Sequence, residues 1–170
     1  RDWRNVEELF TEKAIELKKS GAEFIAISSN TIAKVARNVA EKAELPLVHI
    51  IESTAIEIKN KKIKNVGFLG TSFTMKSEFY FNELRDFGIN TVIPNPDEID
   101  QVSDIIIKEL AHQILNEDSK KRILQIMERM VKEHGIEGVI LGCTEIPMLI
   151  NQNDTDIPLF DTTEIHTNYI

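Results

Sequence analysis

One pattern of residues occurs twice in this chain and restricts the folds that it can adopt. The segments GAEFIAISSNTIAKV (21–35) and GIEGVILGCTEIPML (135–149) each begin with a glycine that ends a helix-like amphipathic run. Each continues with a glutamate, a short apolar strand and a polar cluster that leads into a predicted helix. Any two strand-to-helix turns of an α/β protein look broadly alike, which is one explanation. A duplicated lobe, with the two turns facing each other across a cleft, is the other.

The rest of the chain alternates in the same way between strand-like and helix-like segments. Short apolar runs predict strands at 23–28, 45–51, 66–70, 91–94, 137–142 and 158–160. Amphipathic or polar stretches predict helices at 6–19, 31–43, 76–87, 98–115, 117–134 and 162–170, with a further helix start at 144–150. Strands separated by helices predict a parallel sheet that is covered on both faces.

Cys143, the only cysteine of the chain, stands at the end of the second repeated strand. Ser29 has the same place in the first copy, so we expect the two side chains to face each other at a ligand site. A thiol before a helix N-terminus has a pKa lowered from ~8.5 toward neutrality and acts as a nucleophile or a base. A free cysteine is often an inert packing residue, but Gly142, Thr144 and Glu145 beside it are small or polar.

Two further strand ends carry polar residues. In the segment 67–80, Thr71, Ser72 and Thr74 follow a strand and precede a helix, which suits a carboxylate or phosphate. Helix capping by Ser72 or Thr74 is the alternative. In the last segment, DTTEIH, the residue Asp161 or Thr162 caps the final helix.

Composition excludes several classes of function. The net charge of −8 over 170 residues provides no basic footprint for nucleic acid, and the apolar runs are too short to span a membrane. A single cysteine forms no intrachain disulfide, which suits the cytoplasm. One cysteine and scattered histidines have no metal-ligand spacing, so we predict no metal. The chain contains no G-x-G-x-x-G motif or P-loop, so we expect neither a dinucleotide nor a nucleoside triphosphate.

The quoted motifs resemble those of the aspartate/glutamate racemases, a family of cofactor-independent amino-acid racemases, and are closest to its broad-specificity or glutamate-acting bacterial branch. GVILGCTEIPML is similar to the second cysteine motif of the family, and FIAISSNTIAKVA is similar to the first. VGFLGTSFTMKSEFY, LPLVHI and PLFDTTEIH also match family segments. The resemblance covers essentially the whole chain.

The resemblance implies an α/β fold of two pseudosymmetric lobes, each a parallel sheet with helices on both faces, with the active site in the cleft between them. We predict that residues 1–43 and 155–170 form lobe 1 and that residues 44–154 form lobe 2. The family's glycine-rich first strand and substrate-binding arginine have no counterpart here, so we expect lobe 1 to be incomplete in this chain. A homodimer is also implied.

In the family, the substrate α-carbon lies between two residues that remove and return a proton on opposite faces, without pyridoxal phosphate or another cofactor. By motif, Ser29 and Cys143 occupy these two catalytic positions. The substrate-binding positions implied in the same way are Asn30, Thr31, Thr71, Thr74 and Thr144. The positions that would orient or tune Cys143 are Glu145 and His166.

The chain departs from the family at the first motif, where Ser29 replaces cysteine and Ala33 replaces a common histidine. A serine hydroxyl ionises far above pH 7 and is a poor base. We therefore expect a slow or asymmetric racemase of aspartate or glutamate. Two alternatives remain: a catalytically degenerate protein that only binds an amino acid, and a single-cysteine lyase, decarboxylase or isomerase of a dicarboxylate on the same fold.

Overall fold

The computed structural model describes residues 2–170, which form an α/β fold. The strands over these residues are β1 (Ile25–Ala26), β2 (Leu47–Val48), β3 (Asn65–Leu69), β4 (Asn90–Val92), β5 (Gly138–Leu141) and β6 (Leu159–Asp161). The α-helices are α1 (Trp3–Lys19), α2 (Ala33–Ala43), α3 (Ile50–Asn60), α4 (Ser72–Met75), α5 (Glu78–Asp86), α6 (Pro96–Asp104), α7 (Glu117–His134) and α8 (Thr162–Tyr169). The alternation predicted from the sequence is therefore confirmed. Within residues 2–170, no helix is both long enough and apolar enough to cross a bilayer.

All strand pairs in the two sheets are parallel, as the alternation predicts. β1 pairs with β2, and the larger sheet has the order β4–β3–β5–β6. β3 and β5 are neighbours, with Leu69 opposite Leu141 at their carboxyl ends. The turns that begin after these two residues therefore start side by side at one edge of the sheet.

Each sheet has its own hydrophobic core. The larger core surrounds β3 and β5 and includes the fully buried Phe68 and Ile140. The smaller core joins β1 to α1 and α2 and includes Ala14, Ile25 and Val39. Two parallel sheets flanked by helices, each with its own core, are the architecture that the sequence analysis predicted.

Short-range signals set the ends of several helices. Asn95 accepts a hydrogen bond from the backbone of Glu98, and the Glu98 side chain accepts one from the backbone of Asn95, which forms a capping box before α6. Gly135 ends α7 in the left-handed conformation with φ 61°, a conformation that glycine adopts without a steric penalty. The repeated glycine therefore fixes where the chain leaves the helix and turns toward β5.

Helix α3 lies partly where the sequence analysis predicted a strand over 45–51, and that prediction was wrong beyond Val48. The β-branched residues of this region favoured a strand. In the structure only Leu47–Val48 pairs with β1, and the buried His49 directly precedes the helix. The fully buried apolar side chains of α3 fall at helical spacing, at Ile51, Ala55 and Ile58.

Strand pairing differs from the predicted lobe boundaries at two places. β2 lies within 44–154 but pairs with β1 of the other predicted lobe. β6 lies within 155–170 but pairs with β5, and its Phe160 is buried in the larger core. Strand order depends on long-range pairing that local pattern does not encode. For the other segments, the lobe boundaries stay a prediction.

Candidate active site

A cavity of about 200 Å³ lies where the turns after β1, β3 and β5 meet. Ser29 and Cys143, the two residues at equivalent places in the repeat, both line it. The other lining residues are Ser28, Asn30, Thr31, Thr71, Thr74, Gly142, Thr144 and Glu145. Apart from Ser72 and His166, every residue that the sequence analysis proposed for the site therefore lies at one cavity. Because a water molecule occupies ~30 Å³ in the liquid, this cavity is of a size for a small metabolite.

The Ser29 side chain is held by the turn that leads into α2. Its Oγ accepts a hydrogen bond from the backbone N–H of Ile32 at 3.2 Å, and its carbonyl oxygen accepts one from Ala33 at 3.0 Å. The hydroxyl proton is not used in either contact. Ser29 is therefore oriented as a hydroxyl donor at the edge of the cavity.

Three threonine hydroxyls form a linked group on another wall of the cavity. The Oγ1 atom of the buried Thr74 lies 3.2 Å from Oγ1 of Thr71 and 3.3 Å from Oγ1 of Thr31. The residue before α4 is Thr71, which makes no side-chain cap bond, and the backbone N–H of Ser72 donates to Oγ of Ser103, so the capping role weighed for Ser72 and Thr74 is wrong. The hydroxyls instead join the turn after β1 to the turn after β3. The proton that is not used between them can be donated to an anionic group.

Cys143 is paired with the carboxylate two residues away. Its Sγ donates a hydrogen bond to Oε2 of Glu145 at 2.9 Å. Burial and this hydrogen bond raise the pKa of Cys143 to about 12, whereas the bond from the thiol lowers the pKa of Glu145. The expectation of a lowered thiol pKa was wrong because only a short 3₁₀ turn, Ile146–Met148, follows the cysteine in place of a regular helix.

Replacing Glu145 by glutamine is expected to lower the pKa of Cys143. The change removes the negative charge that holds the thiol proton and leaves only a neutral amide oxygen as acceptor, so the thiolate forms at lower pH. The measurement is the rate of iodoacetamide alkylation between pH 7 and 10, which reports one thiol because the chain has one cysteine. We expect faster alkylation at pH 8 in the variant. Glu164→Gln, on the exposed side of α8, is the control, and an unchanged or slower rate in Glu145→Gln would contradict this assignment.

His166 lies apart from the cavity. It is buried in α8, and its Nε2 is 2.9 Å from the carbonyl oxygen of Val48 in β2. The role implied for it, support of Cys143, finds no direct contact among the described residues. Its ring instead connects α8 to the smaller sheet. The predicted cap of α8 is confirmed, because Asp161 accepts hydrogen bonds from Thr163 and Glu164.

Two residues that the sequence analysis did not propose for the site contact Asn30. Tyr80 Oη donates to Asn30 Oδ1 at 3.0 Å, and Asn30 Nδ2 donates to Thr162 Oγ1 at 2.9 Å. Both partners come from other elements, α5 and the start of α8. The only sequence signal was that a tyrosine within an apolar helix face needs a partner for its hydroxyl.

Comparison with protein families identifies the group to which this arrangement belongs. The family described as Asp/Glu/Hydantoin racemase matches residues 1–170. The chain belongs to this family. The motifs that resembled aspartate/glutamate racemases in the sequence therefore reflect membership of the Asp/Glu/Hydantoin racemase family.

Individual members of the racemase family are similar over most of this chain. A glutamate racemase from Hydrogenobaculum sp. is 28% identical over 141 residues, which cover 81% of this chain and 52% of that protein. A broad-specificity amino-acid racemase from Bacillus subtilis is 26% identical over 164 residues, with 95% and 69% covered. The crystal structure of an aspartate racemase homologue from Pyrococcus horikoshii has a TM-score of 0.92 and 37% identity, with 99% and 74% covered. The chain thus spans about half the length of the Hydrogenobaculum enzyme.

Gly142 in the second racemase-family motif cannot accept a side chain. A Cβ at this position would overlap the ring of Phe68 and lie 3.0 Å from the carbonyl oxygen of Leu69. The ring is fully buried against Tyr80, so it has little room to move. Gly142→Ala is therefore expected to reduce the free energy of unfolding by about 2 kcal/mol and to displace Cys143.

Urea unfolding of Gly142→Ala measures this effect. The double variant with Phe68→Leu tests its cause, because a smaller side chain relieves the overlap and the two changes are then not additive. Strict additivity of the two free-energy changes would show that the Phe68 ring is not the obstacle.

Proposed function

We propose that this protein racemises an acidic amino acid, aspartate or glutamate, without a cofactor. Protons are exchanged at the α-carbon between Cys143 on one face and Ser29 on the other. The observation that carries the proposal is that both side chains line one small cavity although they come from separate sheets of the fold. The substrate is therefore a small molecule, and neither nucleic acid nor a membrane is required.

The charges around the cavity suit a zwitterionic amino acid. Asn30, Thr31, Thr71 and Thr74 offer amide and hydroxyl donors for carboxylate oxygens, and Glu145 offers a negative charge for an ammonium group. Neither lysine nor arginine is among the described residues that line the cavity. The preference for an acidic side chain therefore rests on the names of the relatives, a glutamate racemase and an aspartate racemase homologue.

The resting thiol holds its proton, so a base must form when the substrate binds. An ammonium group placed beside Cys143 adds positive charge and pairs with the Glu145 carboxylate that binds the thiol, so the pKa of the thiol falls and its proton is released to solvent. The thiolate then removes the α-proton. Developing negative charge on the substrate carboxylate is stabilised by the hydroxyl and amide donors of the opposite wall.

Ser29 makes the two directions of the reaction unequal. A hydroxyl can return a proton, directly or through a water molecule that it holds, but it removes one poorly at neutral pH. We therefore propose that the enantiomer whose α-proton faces Cys143 has the larger kcat, with a KM larger by the same factor because the equilibrium constant of a racemisation is 1. The result is a slow racemase whose kcat is larger in one direction.

Product analysis separates this proposal from two others. The purified protein is incubated separately with L- and D-aspartate and with L- and D-glutamate, and the products are resolved by chiral chromatography. Formation of the opposite enantiomer supports racemisation. Binding by calorimetry without turnover supports a binding protein, which the loss of the first thiol at Ser29 favours. Release of carbon dioxide or formation of an alkene supports a decarboxylase or lyase.

We also propose that the protein is a cytoplasmic homodimer. The single cysteine, which forms no intrachain disulfide, supports the compartment. The resemblance to the racemase family supports the dimer. Analytical ultracentrifugation tests the oligomeric state, and a mass of one chain at micromolar concentration would contradict it.

A further inference from the structure

A buried chain of hydrogen bonds runs behind the cavity and joins the turn of Ser29 to the strand that carries Cys143. It passes from Tyr80 to Asn30, from Asn30 to Thr162, and from Thr162 Oγ1 to the carbonyl oxygen of Leu141 at 3.0 Å. Tyr80 and Thr162 are fully buried, and Asn30 is 5% exposed. These hydrogen bonds therefore connect α5, the turn after β1, the start of α8 and the end of β5, and they reach the cavity at Asn30.

The donor and the acceptor of every hydrogen bond in this series follow from the last bond, the one to Leu141. The carbonyl oxygen of Leu141 can only accept, so Thr162 Oγ1 must donate to it. Thr162 Oγ1 then accepts from Asn30 Nδ2, which places the amide oxygen of Asn30 toward Tyr80. The tyrosine hydroxyl completes the chain as a donor. No other assignment satisfies all four groups.

This order determines what Asn30 offers to a ligand. Its amide oxygen accepts from Tyr80 and one Nδ2 hydrogen is bound to Thr162, so the second Nδ2 hydrogen remains. Asn30 also lines the cavity. An amide held in this orientation presents a donor, which suits a carboxylate and not an ammonium group.

We propose that Tyr80 and Thr162 are positioning residues of the reaction proposed above. They hold the Asn30 amide with its free N–H toward the substrate carboxylate and keep the Ser29 turn aligned with the strand end before Cys143. The inference rests on the proposed function for its reaction, but the orientation of Asn30 can be measured without turnover.

The chemical state of Tyr80 fits this role. Burial, and then the nearby charge of Glu83, raise the pKa of the Tyr80 hydroxyl above its usual range. The hydroxyl keeps its proton throughout the neutral range and remains a donor. The ring centroids of Tyr80 and Phe68 are 4.6 Å apart, and this contact holds the phenol in place. The donor is therefore constant in charge and in position.

Variants that remove either hydroxyl test the proposal. In the full chain, Tyr80→Phe and Thr162→Val are each expected to lower kcat/KM about tenfold, because the Asn30 amide is then free to rotate. The loss is expected for both enantiomers, since Asn30 contacts the substrate carboxylate and not one face of the α-carbon. The double variant should lose no more than either single one, because both hydroxyls act through the same amide.

Matched variants separate positioning from stability. Thr54→Val removes another fully buried threonine hydroxyl that donates to a backbone carbonyl, that of Ile50 at 2.8 Å, away from the cavity. It should lower Tm without changing kcat/KM. Thr162→Ser keeps the hydroxyl and should restore activity. Unchanged kcat/KM in both Tyr80→Phe and Thr162→Val, with a lower Tm as in Thr54→Val, would overturn the proposal.

A spectroscopic readout keeps this test independent of catalysis. The side-chain amide signals of Asn30 in ¹⁵N-labelled protein are expected to exchange slowly with water and to shift when L-aspartate is added. Both features should be lost in Tyr80→Phe and Thr162→Val and retained in Thr54→Val. If the wild-type protein shows them but converts no amino acid, the racemase proposal fails and the positioning of Asn30 stands. Equal signals in wild type and variants would overturn the positioning role.

Discussion

Cys143→Ser is expected to reduce proton exchange at the substrate α-carbon by about 10²–10⁴-fold for one enantiomer, the range that a general acid or base contributes. Serine has nearly the same shape but does not ionise near neutral pH, so the face of the cavity formed by Cys143 loses its only effective base. The other enantiomer, which uses this position as an acid, should lose less. The measurement is the initial rate of α-deuterium incorporation in D₂O, followed by NMR for each enantiomer separately.

Binding provides the control for Cys143→Ser. The donors that we propose to bind the carboxylates, including Thr71 and Thr74, line the cavity and are unchanged, so calorimetry should give dissociation constants close to those of the wild type. The account is supported if the variant binds both enantiomers and exchanges the α-proton of each more slowly than the wild type does. Wild-type exchange rates in Cys143→Ser would remove this residue from the mechanism.

Ser29→Cys is expected to accelerate the slow direction by at least about tenfold, because a thiol, with an ordinary pKa of ~8.5, supplies far more base at neutral pH than a hydroxyl. The change restores the cysteine that is usual in the first motif of the family. At saturating substrate the kcat of the fast direction should change less, since its base remains Cys143, while kcat/KM stays equal in the two directions because the equilibrium constant is 1. Rates of racemisation from each enantiomer, measured with a reducing agent that prevents a disulfide, give the ratio of the two directions.

The neighbouring serine provides the matched control for Ser29→Cys. Ser28 also lines the cavity, so Ser28→Cys adds the same thiol one residue away. It should accelerate the slow direction much less, because residue 28 is not the one that the repeat places opposite Cys143. Equal acceleration by the two variants, or none by Ser29→Cys, would show that position 29 is not the second acid/base position.

The location of the site could be predicted from sequence because it depends on local pattern. Strand, polar cluster and helix start follow one another at Ser29, Thr71 and Cys143, and parallel strands bring their carboxyl ends to one edge. The extent of the strand before α3 could not be predicted in this way. Its valine and isoleucines suit a strand or a buried helix, and only packing against the larger core decides.

The electrostatics of the site depended on features that the sequence does not contain. The prediction of a lowered pKa for Cys143 assumed a regular helix after residue 143 and ignored the direction of the Glu145 carboxylate. The bonds of Asn30 to Tyr80 and Thr162 depend on contacts between residues far apart in the chain. Contacts of this kind cannot be predicted from a local motif, because no local motif contains both partners.

The central claim is that Cys143 and Ser29 act on opposite faces of one α-carbon. Deuterium labelling in D₂O, measured while only a small fraction of the substrate has been converted, tests this claim most directly. L- and D-aspartate are incubated separately with the wild-type protein, and the deuterium content of the remaining substrate and of the product is measured by mass spectrometry after chiral separation. Two acid/base positions predict deuterium in the inverted product and none in the recovered substrate. Deuterium accumulating in recovered substrate of unchanged configuration would contradict the account.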